Sequence, residues 1–373
     1  MDRSQLLQRF PFSPDFTPAV LARDRARLLA PGPLDLAGLE RRLALLERDY
    51  CSYAGCYPYG LWAPGLILTP PMRSLTELCL PLAEICRTLV PLLAKALTVP
   101  AIAVLAPLTA AASWPDLLQQ LGLPDLTANP AALVRRLAAD APFRERFLFA
   151  LALPRQHGSS FARYPGQRRF LQQWLMERRE RVGSALRCLD AACGSGEGTY
   201  ALARLVREAG WTSESSQIEG VTINPLEVFA AARGYFPHDP ARQTTFRQQA
   251  AASLADGWQA AVHFRWGDIR EVRAKGEGYD LIVCNGILGG PLLSGEQAVA
   301  ATISRLAGLL RPAGLLLAAD RFHAGWKRLL PPERLTELLA GAGLEPVELP
   351  EGTGGIRTGR PCRPRRAHPR SPS

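Results

Sequence analysis

Leu186-Arg-Cys-Leu-Asp-Ala-Ala-Cys-Gly-Ser-Gly-Glu-Gly-Thr-Tyr200 is a short apolar run that ends in an acid, Asp190, then a tight loop of small residues, then an amphipathic helical stretch. The pattern is that of a strand, a ligand loop and a helix. Between Ala192 and Gly198 nothing larger than Cys193 precedes Glu197, so backbone N–H groups at Ala192, Cys193, Gly194 and Gly196 can approach a ligand closely. The positive end of the following helix points there. A dinucleotide-binding turn uses the same physics but wants Gly-x-Gly-x-x-Gly and an acid at the end of the second strand. Here Thr199 stands at the third glycine position. The second strand, Gln217-Ile-Glu-Gly-Val-Thr-Ile-Asn-Pro225, carries Thr222 where the acid would stand. Both departures count against NAD, and an oxidoreductase is kept only as an alternative.

Outward from this loop the chain alternates strands and helices, which implies an α/β fold with a parallel sheet covered on both faces. The expected strands are Cys188–Ala191, Ile218–Ile223, Val262–Arg265, Asp280–Cys284, Leu315–Ala319 and Pro346–Leu349. Helices are expected at Glu197–Ala209, Leu226–Arg233, Gly295–Leu310 and Pro332–Ala342. In open sheets of this kind ligands bind beyond the carboxyl ends of the strands, where strand order reverses, so the loops after Ala191, Val221, Arg265 and Cys284 should converge. Before Leu153 the pattern is helical. Leu36, Leu39, Leu43 and Leu46 share a face after a candidate cap at Asp35, and Asn129-Pro130 is an N-cap followed by proline at the first helical position. Three regions result: a helical N-terminal domain over 1–153, a sheet domain over 154–350, and a basic Pro/Arg-rich tail over 351–373 expected to be disordered. Within the tail, Gly354–Arg357 is the one weak candidate for a last strand.

The 373 residues, 47% of them hydrophobic, can bury one large core or two moderate ones. Six arginines fall in Ile356–Ser373, which holds no acid; removing them from the net +10 leaves +4. The body is thus only mildly basic, and the tail lacks interleaved aromatics, so a nucleic-acid partner is not expected. The eight cysteines and the absence of a charged-then-apolar leader at Met1–Ala30 suggest a reduced, cytoplasmic protein. Cys51-x4-Cys56 and Cys79-x6-Cys86 do not have zinc-knuckle spacing, so no metal is expected. Leu89–Trp114 is apolar but broken by Lys95 and by prolines 91, 100 and 107, and reads as buried helices rather than a membrane span. Tyr50–Pro71, rich in aromatics, glycines and prolines, reads as a loop that plugs a seam between domains or covers a ligand.

The loop itself reads as the S-adenosylmethionine loop of a Rossmann-like class I methyltransferase. More specifically, Ala191-Ala-Cys-Gly-Ser-Gly-Glu-Gly-Thr-Tyr200 resembles the chemotaxis-receptor (CheR-type) methyltransferases, whose loop reads Ala-(Ala/Gly)-Cys-Ser-(Thr/Ser)-Gly-Glu-Glu-x-Tyr. Ser159-Ser-Phe-Ala-Arg163 is similar to that family's Thr-x-Phe-Phe-Arg segment, and Tyr279-Asp-Leu-Ile-Val-Cys284 to its Phe-Asp-Leu-Ile-Phe-Cys strand. Leu310-Arg-Pro-Ala-Gly-Leu-Leu-Leu317 is similar to the Lys/Arg-Pro-Gly-Gly turn common to class I enzymes. The similarity spans Ser159–Phe322.

The resemblance implies S-adenosyl-L-methionine as methyl donor. It places Ser159 and Arg163 on the donor's methionine moiety, with the Arg163 fork suited to its carboxylate and to an acceptor's. It gives Glu197 the donor's amino group. Asp190, Thr222, Ile269 and Gly286 complete the expected donor site, with Asp268 on the adenine amino group or capping the next turn. Arg163 and Asn285 are the candidate catalytic residues. Three departures stand out: Thr222 replaces the ribose-binding acid, Asn285-Gly286 replaces the family's Arg-Asn, and Gly289-Gly290-Pro291 replaces an aromatic segment. The expected function is S-adenosylmethionine-dependent methylation of an acceptor left open, protein or small molecule, with a protein carboxylate implied by the resemblance. A small-molecule methyltransferase and a non-catalytic donor-binding regulatory module remain alternatives.

Overall fold

The computed structural model describes residues 11–56, 65–154, 160–182, 185–273, 276, 278–290, 293–319, 330–349 and 351–358. Among the described residues there are eight strands: β1 (Pro11–Phe12), β2 (Leu186–Asp190), β3 (Ser216–Thr222), β4 (Val262–Trp266), β5 (Tyr279–Val283), β6 (Leu310–Ala318), β7 (Leu344–Leu349) and β8 (Gly352–Arg357). They form one sheet in the order β1-β4-β3-β2-β5-β6-β8-β7. The five central strands are parallel, while β8 runs antiparallel between β6 and β7, and β1 runs antiparallel on the edge of β4.

The helical region consists of α1 (Pro18–Leu28), α2 (Glu40–Cys56), α3 (Pro70–Cys79), α4 (Leu82–Lys95), α5 (Ile102–Ala110), α6 (Trp114–Leu121), α7 (Pro130–Ala139) and α8 (Ala141–Ala152). Next come α9 (Pro165–Val182), α10 (Glu197–Glu208), α11 (Pro225–Arg233), α12 (Pro240–Ser253), α13 (Glu296–Leu309) and α14 (Pro332–Gly341). Asn129 caps α7 through the N–H groups of Ala131 and Ala132 at 2.9 and 3.1 Å. Tyr50 and Tyr53 belong to α2 rather than to a loop, and Tyr57, Tyr59 and Trp62 lie outside the described residues. The apolar stretch 89–114 folds as parts of α4 and α5, each containing a proline. Among the described residues no helix is long and apolar enough to cross a membrane.

Strand alternation divides the interior. Cys188, Leu281, Leu315 and Leu317 face one core, and Leu189, Ile282, Leu316 and Ala318 face the other. That two-sided burial explains the unbroken apolar runs of β5 and β6. The second core holds α13 and α14; the first takes in α10, α11, α12 and all of the helical N-terminal region. Buried polar contacts fasten the same seam: Arg233 pairs with Asp24 at 2.8 Å, and the Tyr235 hydroxyl donates to Glu145 at 2.9 Å.

Two features refine the sequence reading, which offers Gly354–Arg357 as a candidate last strand inside the tail. The sheet continues past 350, since Gly352–Arg357 is a strand, so a tail beginning at 351 is corrected to one that starts after β8; residues 359–373 lie outside the described residues. Between β7 and β8, Glu351 reaches the start of α9 and accepts from the backbone N–H groups of Gly166 and Gln167 at 2.8 and 2.7 Å. A carboxylate satisfying two orphan donors at a helix N-terminus contributes about 1–2 kcal/mol. Glu351→Ala should lower the chain's stability by that amount in urea unfolding, and Glu351→Gln by less.

Candidate functional site

Chain order diverges between β2, which continues to β3 on one side, and β5, which continues to β6 on the other. A crevice forms at such a point beyond the carboxyl ends of the strands. Here it is lined by Asp190, Ala192 and Cys193 from the β2 loop, by Val283 and Asn285 beyond β5, and by Gly198, Ala201, Leu202 and Leu205 of α10. Ser160, Phe161, Arg163, Tyr164, Gln167, Arg168 and Leu171 close it from the segment that enters α9. Of the residues singled out in the sequence, Arg163, Asp190, Ala192, Cys193 and Asn285 therefore meet in one cavity. Ser159 lies outside the described residues; its neighbour Ser160 lines the wall.

The loop is held in shape by its own backbone. Cys193 N–H donates to Val221 at 3.0 Å and Gly196 N–H to Cys193 at 2.9 Å, with Gly196 at φ +94°. At its base Asp190, 6% exposed, accepts from the Thr199 hydroxyl at 2.7 Å. Burial pushes the Asp190 carboxyl up to about 6, against the pull of Thr199 and the Ala192 N–H. A buried carboxylate raised in this way favours a cation placed against it.

Glu197 behaves differently from the expectation. Its carboxylate accepts from the Ser195 hydroxyl at 2.6 Å and from Arg242 at 2.8 Å, and it does not line the cavity. The physical reason is charge: a carboxylate 4% exposed pairs with the nearest guanidinium, here from the first turn of α12. Arg242 also stacks on Phe236 at 4.5 Å. This leaves Asp190 as the acid on the cavity wall.

Asn285 lines the wall with its amide already engaged. Its Nδ2 donates to Gln167 at 2.8 Å, and its Oδ1 accepts from Gln167 at 3.1 Å and from the Ala319 N–H at 2.7 Å. Arg163 lies 4.9 Å from the centre of the Tyr164 ring, and Tyr164 has φ +59°. Gly286, exposed and at φ +73°, lies beside the Tyr164 hydroxyl. Thr222 donates to the Glu227 carboxylate. Asp268 accepts from the Arg270 N–H at 2.8 Å and pairs with its guanidinium, which is the turn-capping role, and Ile269 is buried in the second core. Gly194, Gly196, Thr222, Asp268, Ile269 and Gly286 do not line the cavity.

Sequence reasoning missed Tyr164, Gln167, Glu227 and Arg242. Only Arg242 had a readable signal, the Asp239-Pro240 cap that opens α12, with the Asp239 side chain accepting from the Arg242 N–H at 3.0 Å.

Comparison with known proteins bears on the same region. Residues 158–320 match the family described as CheR methyltransferase, SAM binding domain. The chain is 25% identical over 225 residues to the probable biofilm formation methyltransferase WspC of Pseudomonas aeruginosa, a match covering 57% of this chain and 49% of the relative. It thus spans about half the length of that relative. Among solved structures, the N-methyltransferase NodS from Bradyrhizobium japonicum is similar at 15% identity and a TM-score of 0.34, covering 53% of this chain and 99% of NodS. A TehB-like SAM-dependent methyltransferase from Corynebacterium glutamicum is similar at 16% identity and a TM-score of 0.31, covering 52% and 97%.

Proposed function

We propose that this chain, whose residues 158–320 match the CheR methyltransferase SAM-binding domain, is an S-adenosylmethionine-dependent methyltransferase. The observation that carries the reading is the meeting of Asp190, Ala192, Cys193 and Arg163 in one cavity at the sheet's switch point. Asp190 receives the donor's ammonium, and Arg163 faces a carboxylate with its planar fork. The Gln167–Asn285 amide pair also lines the cavity, each side chain held by the other. The bound donor supplies a sulfonium methyl that is displaced in line. The protein's part is to align the acceptor and exclude water, which can supply much of the rate.

The acceptor we favour is a protein carboxylate, ionised at neutral pH and needing no dedicated base. A small-molecule acceptor and a module that binds donor without turnover are separated from it by release of S-adenosylhomocysteine with each candidate acceptor. The seven described cysteines are free, which suits the cytoplasm as the place of action.

The test is calorimetry with S-adenosylhomocysteine, which keeps the ammonium and carboxylate. Wild type should bind, and Asp190→Asn should weaken binding about ten- to a hundredfold, the range for a lost charge-assisted hydrogen bond. The pH dependence has a fixed sign. A cation against Asp190 lowers its pKa in the complex, so affinity is full above about 6 and falls as pH drops below that value. No binding by folded wild type, or binding indifferent to Asp190 and to pH, would overturn the proposal.

A further inference from the structure

Tyr164 breaks two local rules and lines the cavity. It stands before Pro165, the first residue of α9, and its carbonyl accepts from the Arg168 N–H at 2.9 Å, so it is the helix's N-cap. Ser, Thr, Asp or Asn in an extended backbone suits that position, where a short side chain can accept from the first N–H groups. Here a tyrosine 6% exposed occupies it at φ +59°, a left-handed conformation that costs a bulky L residue energy. Glu351 supplies the cap instead, on the N–H groups of Gly166 and Gln167. A strained residue at a position better served by a short polar one persists where its side chain serves a site.

Its hydroxyl lies at the carboxyl end of β5, 4.0 Å from where a Cβ would stand on Gly286. Beside Gly286, Asn285 is oriented by a fixed donor. The Ala319 N–H can meet only its oxygen, so Asn285 Nδ2 faces the Gln167 oxygen and Gln167 Nε2 faces Asn285 Oδ1. Each amide nitrogen spends one N–H in this pair and keeps a second. The entry to α9 and the end of β5 thus line the cavity with donors: the Tyr164 hydroxyl, the two amides and the Arg163 fork. Among the described residues that line it, Asp190 alone is acidic.

The geometry points to Tyr164 as the residue that orients the acceptor, donating its hydroxyl to an acceptor carboxylate at the end of β5 with Gln167 and Asn285 as the donors beside it. The inference rests on the donor reading above and adds what selects the acceptor. A wall of donors takes a carboxylate, which only accepts, and disfavours a carboxamide, whose own N–H groups would meet donors. In the transfer one carboxylate oxygen gives a lone pair to the methyl carbon, the carbon–sulfur bond breaks with its electron pair going to sulfur, and no proton moves. Tyr164 bonds the other oxygen and keeps its proton, so it orients the acceptor without acting as a base.

An NMR titration of the full chain, saturated with S-adenosylhomocysteine, tests this with N-acetyl-glutamate N-methylamide and the matching glutamine compound. Wild type should prefer the glutamate compound about ten- to a hundredfold, the scale of hydrogen bonds to a charged acceptor. Tyr164→Phe should remove most of that preference through the glutamate compound alone, and bind S-adenosylhomocysteine as wild type does. A ring that served only packing would leave the preference unchanged. Should Tyr164→Phe fail to fold, Gln167→Glu carries the comparison: a negative charge in place of a donor should reverse the preference. No preference in the wild type, or one that the substitution leaves untouched, overturns the role of Tyr164 while leaving the donor site intact. Loss of S-adenosylhomocysteine binding by folded Tyr164→Phe overturns it too, because the residue would then serve the donor. Failure of folded wild type to bind S-adenosylhomocysteine overturns both readings.

Discussion

Asp24→Ala is expected to lower the folding stability of the chain by about 3–5 kcal/mol, the cost of removing one partner from a buried ion pair. Asp24 is 1% exposed and accepts from Arg233 Nε and Nη2 at 3.0 and 2.8 Å. Arg233, on α11, also donates to the carbonyls of Ser13, Asp15 and Ala232. Those carbonyls keep part of the guanidinium solvated after the substitution, which favours the lower end of the range. The other cations on Asp24, Arg23 and Arg27, have side chains 63% and 54% exposed, so Arg23→Ala should have no measurable effect. Replacing both partners by apolar residues, Asp24→Leu with Arg233→Met, should recover much of the loss, because no charge is then left buried. The carboxyl titrates below its ordinary value, so its contribution is complete at neutral pH and fades only on acidification below about 4. Denaturant unfolding of the four proteins reads all of this. A loss near zero for Asp24→Ala would mean that the helical region and the sheet are not coupled through this contact.

What was legible in the sequence divides along physical lines. β5 and the end of β6 were readable because two covered faces demand continuous apolar runs, β4 because its apolar residues alternate with His263 and Arg265, and all the parallel strands are short and bounded by turn residues. The ligand loop was readable because only small residues permit its backbone path. β8 was faint because Gly-Thr-Gly-Gly-Ile-Arg has low strand propensity, yet its glycines are what the site requires: a Cβ at Gly352 would stand 2.1 Å from the Ala318 carbonyl, and one at Gly354 2.6 Å from the Leu317 side chain. The α12 segment was invisible to periodicity, since Pro-Ala-Arg-Gln-Thr-Thr-Phe-Arg-Gln-Gln carries one large apolar residue, Phe246, in its first ten. Missing it hid Arg242, and so left Glu197 free on paper to meet a ligand. The pairing joins residues 45 positions apart, which local pattern does not encode. The same limit applied at β3, where the loss of an acid at Thr222 was visible and the carboxylate of Glu227 was not, because helix geometry brings them together.

Gly196→Ala should destabilise the chain by about 2–4 kcal/mol and remove most donor binding. Two costs combine. At φ +94° an L side chain pays about 1–2 kcal/mol for the left-handed backbone. The new Cβ would also stand 2.8 Å from the Ala231 Cβ of α11 and 3.1 Å from the Phe264 ring of β4, an overpacking that costs about 1–3 kcal/mol. Neither neighbour can retreat cheaply: Ala231 and Phe264 are fully buried in the first core, and Phe264 already occupies space that Gly220 leaves open, 2.8 Å from where its Cβ would be. The loop must therefore move instead, and with it the turn from Cys193 to Gly196 that frames the cavity beside Asp190. Gly295→Ala serves as the control, since a Cβ there meets nothing within 4 Å and its φ of −81° suits any residue; it should leave binding unchanged. The prediction fails if calorimetry finds Gly196→Ala binding S-adenosylhomocysteine as wild type does, because the loop would then hold no part of the donor site.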